Sequence, residues 1–132
     1  EVKKYMDDTV AFAKEHGYAI TMLGRRRYIK EINASNFNLR SFGERAAMNM
    51  PLQGSSADII KLAMLGVHDR LKKEGLSSKL ILQVHDELII DALRSETERV
   101  KKILVEEMEG AVKLSVPLTV ELGSGETWYD AK

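Results

Sequence analysis

The sequence predicts an α+β fold, a small antiparallel sheet packed against helices, with a helix and a hairpin at the N-terminus. Three observations support this. Apolar residues recur at helical spacing in several stretches. Between them lie short runs of β-formers, each too short for a helix and bounded by turn residues. The 132 residues are 44% hydrophobic and 30% charged, a folding composition at the size of one domain.

Val2, Tyr5, Met6, Val10 and Ala13 mark an amphipathic helix over residues 1 to 16, with Gly17 as its stop. Tyr18 to Met22 and Tyr28-Ile29 predict a hairpin, turned at Leu23-Gly24-Arg25 with Gly24 supplying a positive φ. The polar stretch from Asn33 to Asn38 reads as a loop into a helix over 39–49, where Ser41 and Glu44 have capping-box spacing and Gly43 weakens the pattern. Pro51 lacks an N–H and is expected to break that helix. A second helix is expected from Gly54 or Ser55 to Lys73, capped by Ser55 and Asp58. Its core stripe is Ile59, Ile60, Ala63, Met64, Val67 and Leu71, and Gly75 closes it. Residues 79–84 and 87–91 predict antiparallel strands with His85-Asp86 at the tip. A helix over 95–109 follows, with Ser95 and Glu98 as capping box and Val100, Ile103, Leu104 and Met108 facing the core. Alternation of Leu114, Val116, Leu118, Val120 and Leu122 predicts a last strand, an edge strand because of Pro117. Trp128 and Tyr129 are expected to be core or covering residues, and His68 and Asp69 to face solvent.

Composition narrows the function classes. There is no cysteine, which excludes disulfides, thiolate zinc sites and cysteine nucleophiles. A reducing, cytoplasmic location is expected. No apolar run approaches the roughly 18 residues of a membrane span, so neither a membrane partner nor a signal peptide is expected. The chain opens on Glu1 rather than Met, which suggests a piece excised from something longer. Net charge is zero, yet it is unevenly distributed. Residues 23–45 hold six basic against two acidic side chains, a net +4, and residues 86–132 hold six basic against eleven acidic, a net −5.

Three places could carry chemistry. Gln83-Val84-His85-Asp86-Glu87-Leu88 puts three ionisable side chains at a hairpin tip with no glycine nearby, against ordinary turn chemistry. Carboxylates held by rigid strands suit Mg²⁺, a hard cation that takes oxygen ligands. An acidic turn facing solvent would look the same. Adjacent strand residues point to opposite faces, so Asp86 and Glu87 reach one ion only if the turn redirects one of them. The basic hairpin, with Arg25, Arg26, Arg27 and nearby Tyr28, suits a phosphate backbone, though a solvated hairpin also fits. Arg45, Asn49 and Gln53 lie four apart and would line one helix face if the helix persisted past Pro51. All three donate hydrogen bonds, as minor-groove acceptors require at every base pair. A plain polar face is the simpler reading of that spacing.

In several of these segments the chain resembles the family A DNA polymerases, the bacterial DNA polymerase I group. Leu23-Gly24-Arg25-Arg26-Arg27-Tyr28 resembles the family's G-R-R-R-Y hairpin. Residues 36–42 and 44–49 resemble the stretch that follows, and Pro51-Leu52-Gln53-Gly54-Ser55-Ser56-Ala57-Asp58 its P-x-Q-G-[ST]-A-A-D segment. Residues 83–88 resemble the palm signature called motif C, and residues 127–132 the family's C-terminus. The departures, Ser56 and Gly43, touch no assigned role.

The resemblance implies roles by position. Asp86 matches the palm aspartate that binds the catalytic magnesium ions, Glu87 an accompanying carboxylate, and His85 a residue near the primer terminus. Arg45, Asn49 and Gln53 match side chains on the minor groove of primer–template DNA. Residues 1–34 would join the fingers to the palm, and residues 35–132 would be the C-terminal part of the palm. The family's other catalytic aspartate and its nucleotide-binding helix have no counterpart here. The expected function is therefore part of a DNA-directed DNA polymerase, a nucleotidyltransferase of DNA replication and repair. Its partners would be primer–template DNA, deoxynucleoside triphosphates and the rest of the polymerase chain, with two Mg²⁺ ions in the complete enzyme. The isolated piece is expected to be inactive. Two rivals remain, a non-catalytic duplex-binding module and a helical metal phosphohydrolase of the HD type.

Overall fold

The computed structural model describes residues 1–131. The elements in chain order are α1 (Val2–His16), β1 (Tyr18–Ile20), β2 (Arg26–Tyr28), α2 (Phe37–Lys73), β3 (Lys79–Val84), β4 (Glu87–Asp91) and α3 (Thr97–Glu109). The strands form two separate antiparallel pairs, β1 with β2 and β3 with β4. Contacts divide the chain into two compact units, Glu1–Asp58 and Ile59–Lys132.

The first unit is built on Ala13, Ala19, Ile29, Ile32, Ala47 and Met50. α1 ends where the sequence says it should, with Gly17 left-handed at φ 78° and its N–H bonded to the Ala13 carbonyl. Of the expected α1 stripe only Ala13 is buried. Val2, Tyr5 and Met6 are exposed, because no described residue covers that face. β1 and β2 pair in the register Tyr18↔Tyr28, Ala19↔Arg27, Ile20↔Arg26, around a turn with Gly24 at φ 87°. Gly43 has a packing reason: a Cβ there would come within 2.9 Å of the backbone at Glu31 and Ile32, so its absence lets α2 lie against the 3-10 turn Lys30–Asn33.

α2 corrects the expected break. It runs unbroken from Phe37 to Lys73 with Pro51 inside it. An interior proline costs about 3 kcal/mol through a lost hydrogen bond and a ring clash. Here the turns around it are anchored, with Ala47 and Met50 in the core and the Ser55 hydroxyl donating to the Pro51 carbonyl. The true N-cap is Asn36, whose side-chain oxygen accepts from the N–H groups of Asn38 and Leu39 at 2.9 and 3.2 Å. Ser41 and Ser55 therefore sit within the helix and cap nothing.

The second unit packs Val67 and Leu71 of α2 against Val100 and Ile103 of α3, with Leu76, Leu88, Ile90, Ala92 and Leu104 around them. Gly75 closes α2 in a Schellman turn at φ 68°, with Leu76 N–H on the Leu71 carbonyl and Gly75 N–H on that of Lys72. α3 starts at Thr97 after a 3-10 turn, not at a Ser95 capping box. Glu96 instead accepts from the Ser77 and Ser78 N–H groups and the Ser78 hydroxyl, at 3.1, 2.9 and 2.6 Å.

The expected strand over 114–122 is absent; those residues form no ladder, and the Val120 N–H is taken by the Glu109 carboxylate at 3.0 Å. A strand exists only with a partner, and Pro117 removes one of its donors. Trp128 and Tyr129 are likewise not core: they are 43% and 89% exposed. His68 and Asp69 do face solvent.

An ion network joins α2 to α3. Arg70 donates to Glu74, Glu106 and Glu107 at 2.7 to 2.9 Å, and Arg99 grips Glu74 with two nitrogens. Hydrogen bonds from Arg99 and then Arg70 hold the Glu74 carboxyl at about 2, well below its ordinary 4.5. Hydrogen bonding to Arg70 also lowers Glu106. A depressed carboxylate contributes its full stabilisation above its ordinary value and loses it as pH falls through the folded value. Acid titration followed by circular dichroism should show helix loss between about pH 4.5 and 2. Arg70→Ala should flatten that limb, and an identical acid profile in the variant would refute the assignment.

Candidate functional site

The β3–β4 hairpin carries the ionisable cluster. Its register is set by Leu80↔Ile90, Leu82↔Ile89, Gln83↔Leu88 and Val84↔Glu87, with a bulge at Ile81. Leu88 and Ile90 pack on the α2–α3 core, which fixes the direction of the ribbon. Val84 pairs with Glu87, so His85 and Asp86 alone make the turn. His85 has φ 52°, the only positive value at a non-glycine among the described residues. That is the first turn position, where glycine is usual. A non-glycine residue there costs of order 1–3 kcal/mol, and such strain gathers at functional sites. The exposed Gln83 side-chain amide donates to the His85 carbonyl at 2.6 Å and braces the turn.

Asp86 is thus a turn residue and Glu87 the first residue of β4, and His85, Asp86 and Glu87 are all exposed. The two carboxylates offer oxygen donors of the kind a hard divalent cation takes. They do not make a whole site: among the described residues no group of three His, Cys, Asp or Glu side chains is placed to hold a metal.

In the first unit, Arg45, Asn49 and Gln53 are all exposed on α2. Because Pro51 does not interrupt the helix, their spacing of four puts them on one face. Arg45 donates to Ser41 Oγ at 2.8 Å, which steadies its guanidinium along that face. The hairpin arginines divide. Arg26 lies over the Tyr18 ring, 5.0 Å from its centroid, and Arg27 is exposed. Arg25 keeps 48% of its side chain exposed but folds back onto α2, donating to Asp58 at 2.7 Å and to the Gly54 carbonyl at 3.0 Å. The structure therefore gathers the carboxylates in one unit and the donors in the other.

Sequence reasoning missed two residues here. Asp58 has helix-cap spacing in the sequence, while its counter-charge, Arg25, lies 33 positions away. Gln83 stands in the segment that resembles motif C, but its hydrogen bond to the turn carbonyl has no signal in the sequence.

Residues 1–130 match the family model described as DNA polymerase family A. This chain belongs to DNA polymerase family A. It is 54% identical over 132 residues to DNA polymerase I of Caldicellulosiruptor bescii, covering all of this chain and 16% of that protein. To DNA polymerase I of Geobacillus stearothermophilus it is 56% identical over 131 residues, 99% of this chain and 15% of that one. Among solved structures it is similar to the POL domain of Pol1 from M. smegmatis in complex with DNA primer-template and dNTP, with a TM-score of 0.95 and 45% identity over 98% of this chain and 23% of that one. The chain thus spans about a sixth of the length of the curated family A relatives it matches. The HD-type reading asks for a helical protein, and this family A chain carries His85-Asp86 on a β-turn. No described helix is long and apolar enough to cross a membrane.

Proposed function

We propose that this chain is the C-terminal part of the palm of a cytoplasmic DNA-directed DNA polymerase, with residues 1–34 leading from the fingers. The parent adds deoxynucleotides to a primer 3′-OH on a DNA template, in replication or repair. Asp86, with Glu87 beside it, would hold a divalent metal, which we take to be Mg²⁺. In the complete enzyme two such ions would divide the chemistry, one lowering the pKa of the attacking hydroxyl and the other offsetting charge on the leaving pyrophosphate. His85 sits beside the primer terminus. Arg45, Asn49 and Gln53 donate to minor-groove acceptors present at every base pair, so they sense pairing geometry without reading sequence. Arg26 and Arg27 meet the phosphate backbone.

The observation that carries this reading is the exposed His85-Asp86 turn, held at positive φ on a packed ribbon. It places a carboxylate at a rigid, open tip, and family membership supplies the chemistry. Primer extension with Mg²⁺ tests it. The full polymerase carrying this segment should extend a primer, and the 132-residue chain alone should not, since it assembles no three-ligand metal site among its described residues. Extension by the isolated chain above an Asp86→Ala control would overturn the account. The duplex-binding alternative predicts salt-dependent binding without turnover, weakened by Arg45→Ala or Gln53→Ala with little dependence on sequence.

A further inference from the structure

We propose that Asp58 is a positioning residue for duplex binding. By holding Arg25 it seats the β1–β2 hairpin on α2 beside Gln53, so that Arg26, Arg27 and the Arg45–Asn49–Gln53 row act as one surface. This rests on the reading that those side chains touch primer–template DNA.

Four ties converge on one turn of α2. Arg25 Nε donates to Asp58 Oδ1 at 2.7 Å, and Arg25 Nη2 to the Gly54 carbonyl at 3.0 Å. The Met22 N–H donates to Ser55 Oγ at 2.9 Å. Gly54 has no room for a side chain, since a Cβ would lie 2.6 Å from Thr21 Cγ2. The hairpin end is itself rigid: Thr21 N–H bonds to the Arg25 carbonyl, and Arg25 N–H to Thr21 Oγ1. Every tie lands within five residues of Gln53, the last donor of the helix row. Asp58 is 8% exposed, and a carboxylate so placed is costly without a counter-charge, so Arg25 is committed to it. The sequence offers three consecutive arginines to DNA, and the fold spends the first on docking the other two.

The alternative, that Arg25 contacts phosphate itself, predicts the opposite sign. Neutralising Asp58 would then free a cation and tighten binding. In the full polymerase, Asp58→Asn should raise the primer–template Kd at fixed salt by roughly tenfold, measured by fluorescence anisotropy. The loss should lie in that Kd rather than in kcat at saturating duplex. A merely structural defect would instead lower the active fraction, seen as a smaller burst at unchanged Kd. Asp58→Asn combined with Arg25→Ala should be no weaker than either alone, since they break one contact. If Asp58→Asn does not fold, Arg25→Lys keeps the charge but loses the two-point hold, and it should weaken binding as well. Unchanged or tighter binding in the folded variants would overturn the proposal. If the wild-type polymerase bound no primer–template, the functional reading would fall, and this inference with it.

Discussion

Asp86→Ala in the full polymerase is expected to cut kcat for primer extension by about a thousandfold or more, the scale of several kcal/mol of lost transition-state stabilisation. Asp86 is the second residue of a two-residue turn whose first, His85, is held at φ 52°. Gln83 braces that turn, and β4 is pinned to the α2–α3 core through Leu88 and Ile90. A carboxylate mounted this way loses little entropy when it meets an ion. Asp86 lies outside the donor row of α2, so primer–template affinity should change only a few-fold, and chemistry should carry the loss. Glu87→Ala should cost less, as an accompanying ligand. Single-turnover rapid quench separates the two effects. An Asp86→Ala enzyme with more than a tenth of wild-type kcat would remove the carboxylate from the mechanism.

Ile103→Ala should carry the largest stability cost, about 3 kcal/mol, within the 2–5 typical of buried Ile or Leu truncated to alanine. Ile103 is fully buried and packs with Val67, Leu71 and Val100. The same cluster supports Leu88 and Ile90, so a cavity there loosens the base of the hairpin that carries Asp86. Hydrogen exchange in the full polymerase should show faster exchange of α3 amides and then of β3–β4. Protection unchanged from wild type would mean that this small core does not support the ribbon.

Much of the architecture was legible because it is decided locally. The limits of β3 and β4 follow from two short runs of β-formers around a polar pair, and the ends of α1 and α2 follow from Gly17 and Gly75. The carboxylate tip was legible for the same reason: its residues break turn chemistry within the span of the turn. The donor row was legible as a spacing, but its continuity was not. Pro51 argues for a break, and only the packing of Ala47 and Met50 and the Ser55 contact carry the helix through.

The amino-acid sequence by itself determined the helix periods, the two hairpins, the motif residues and the family. Tertiary structure decided that Ser55 and Asp58 hold a hairpin instead of capping a helix, and that Arg25 pairs with Asp58. It also decided that 114–122 forms no strand and that Val2, Tyr5 and Met6 of the α1 stripe stay exposed. The reason is range. Propensity and turn chemistry act over a few residues, whereas a buried carboxylate or a strand needs a partner that can lie far along the chain, as Asp58 finds Arg25 33 positions away.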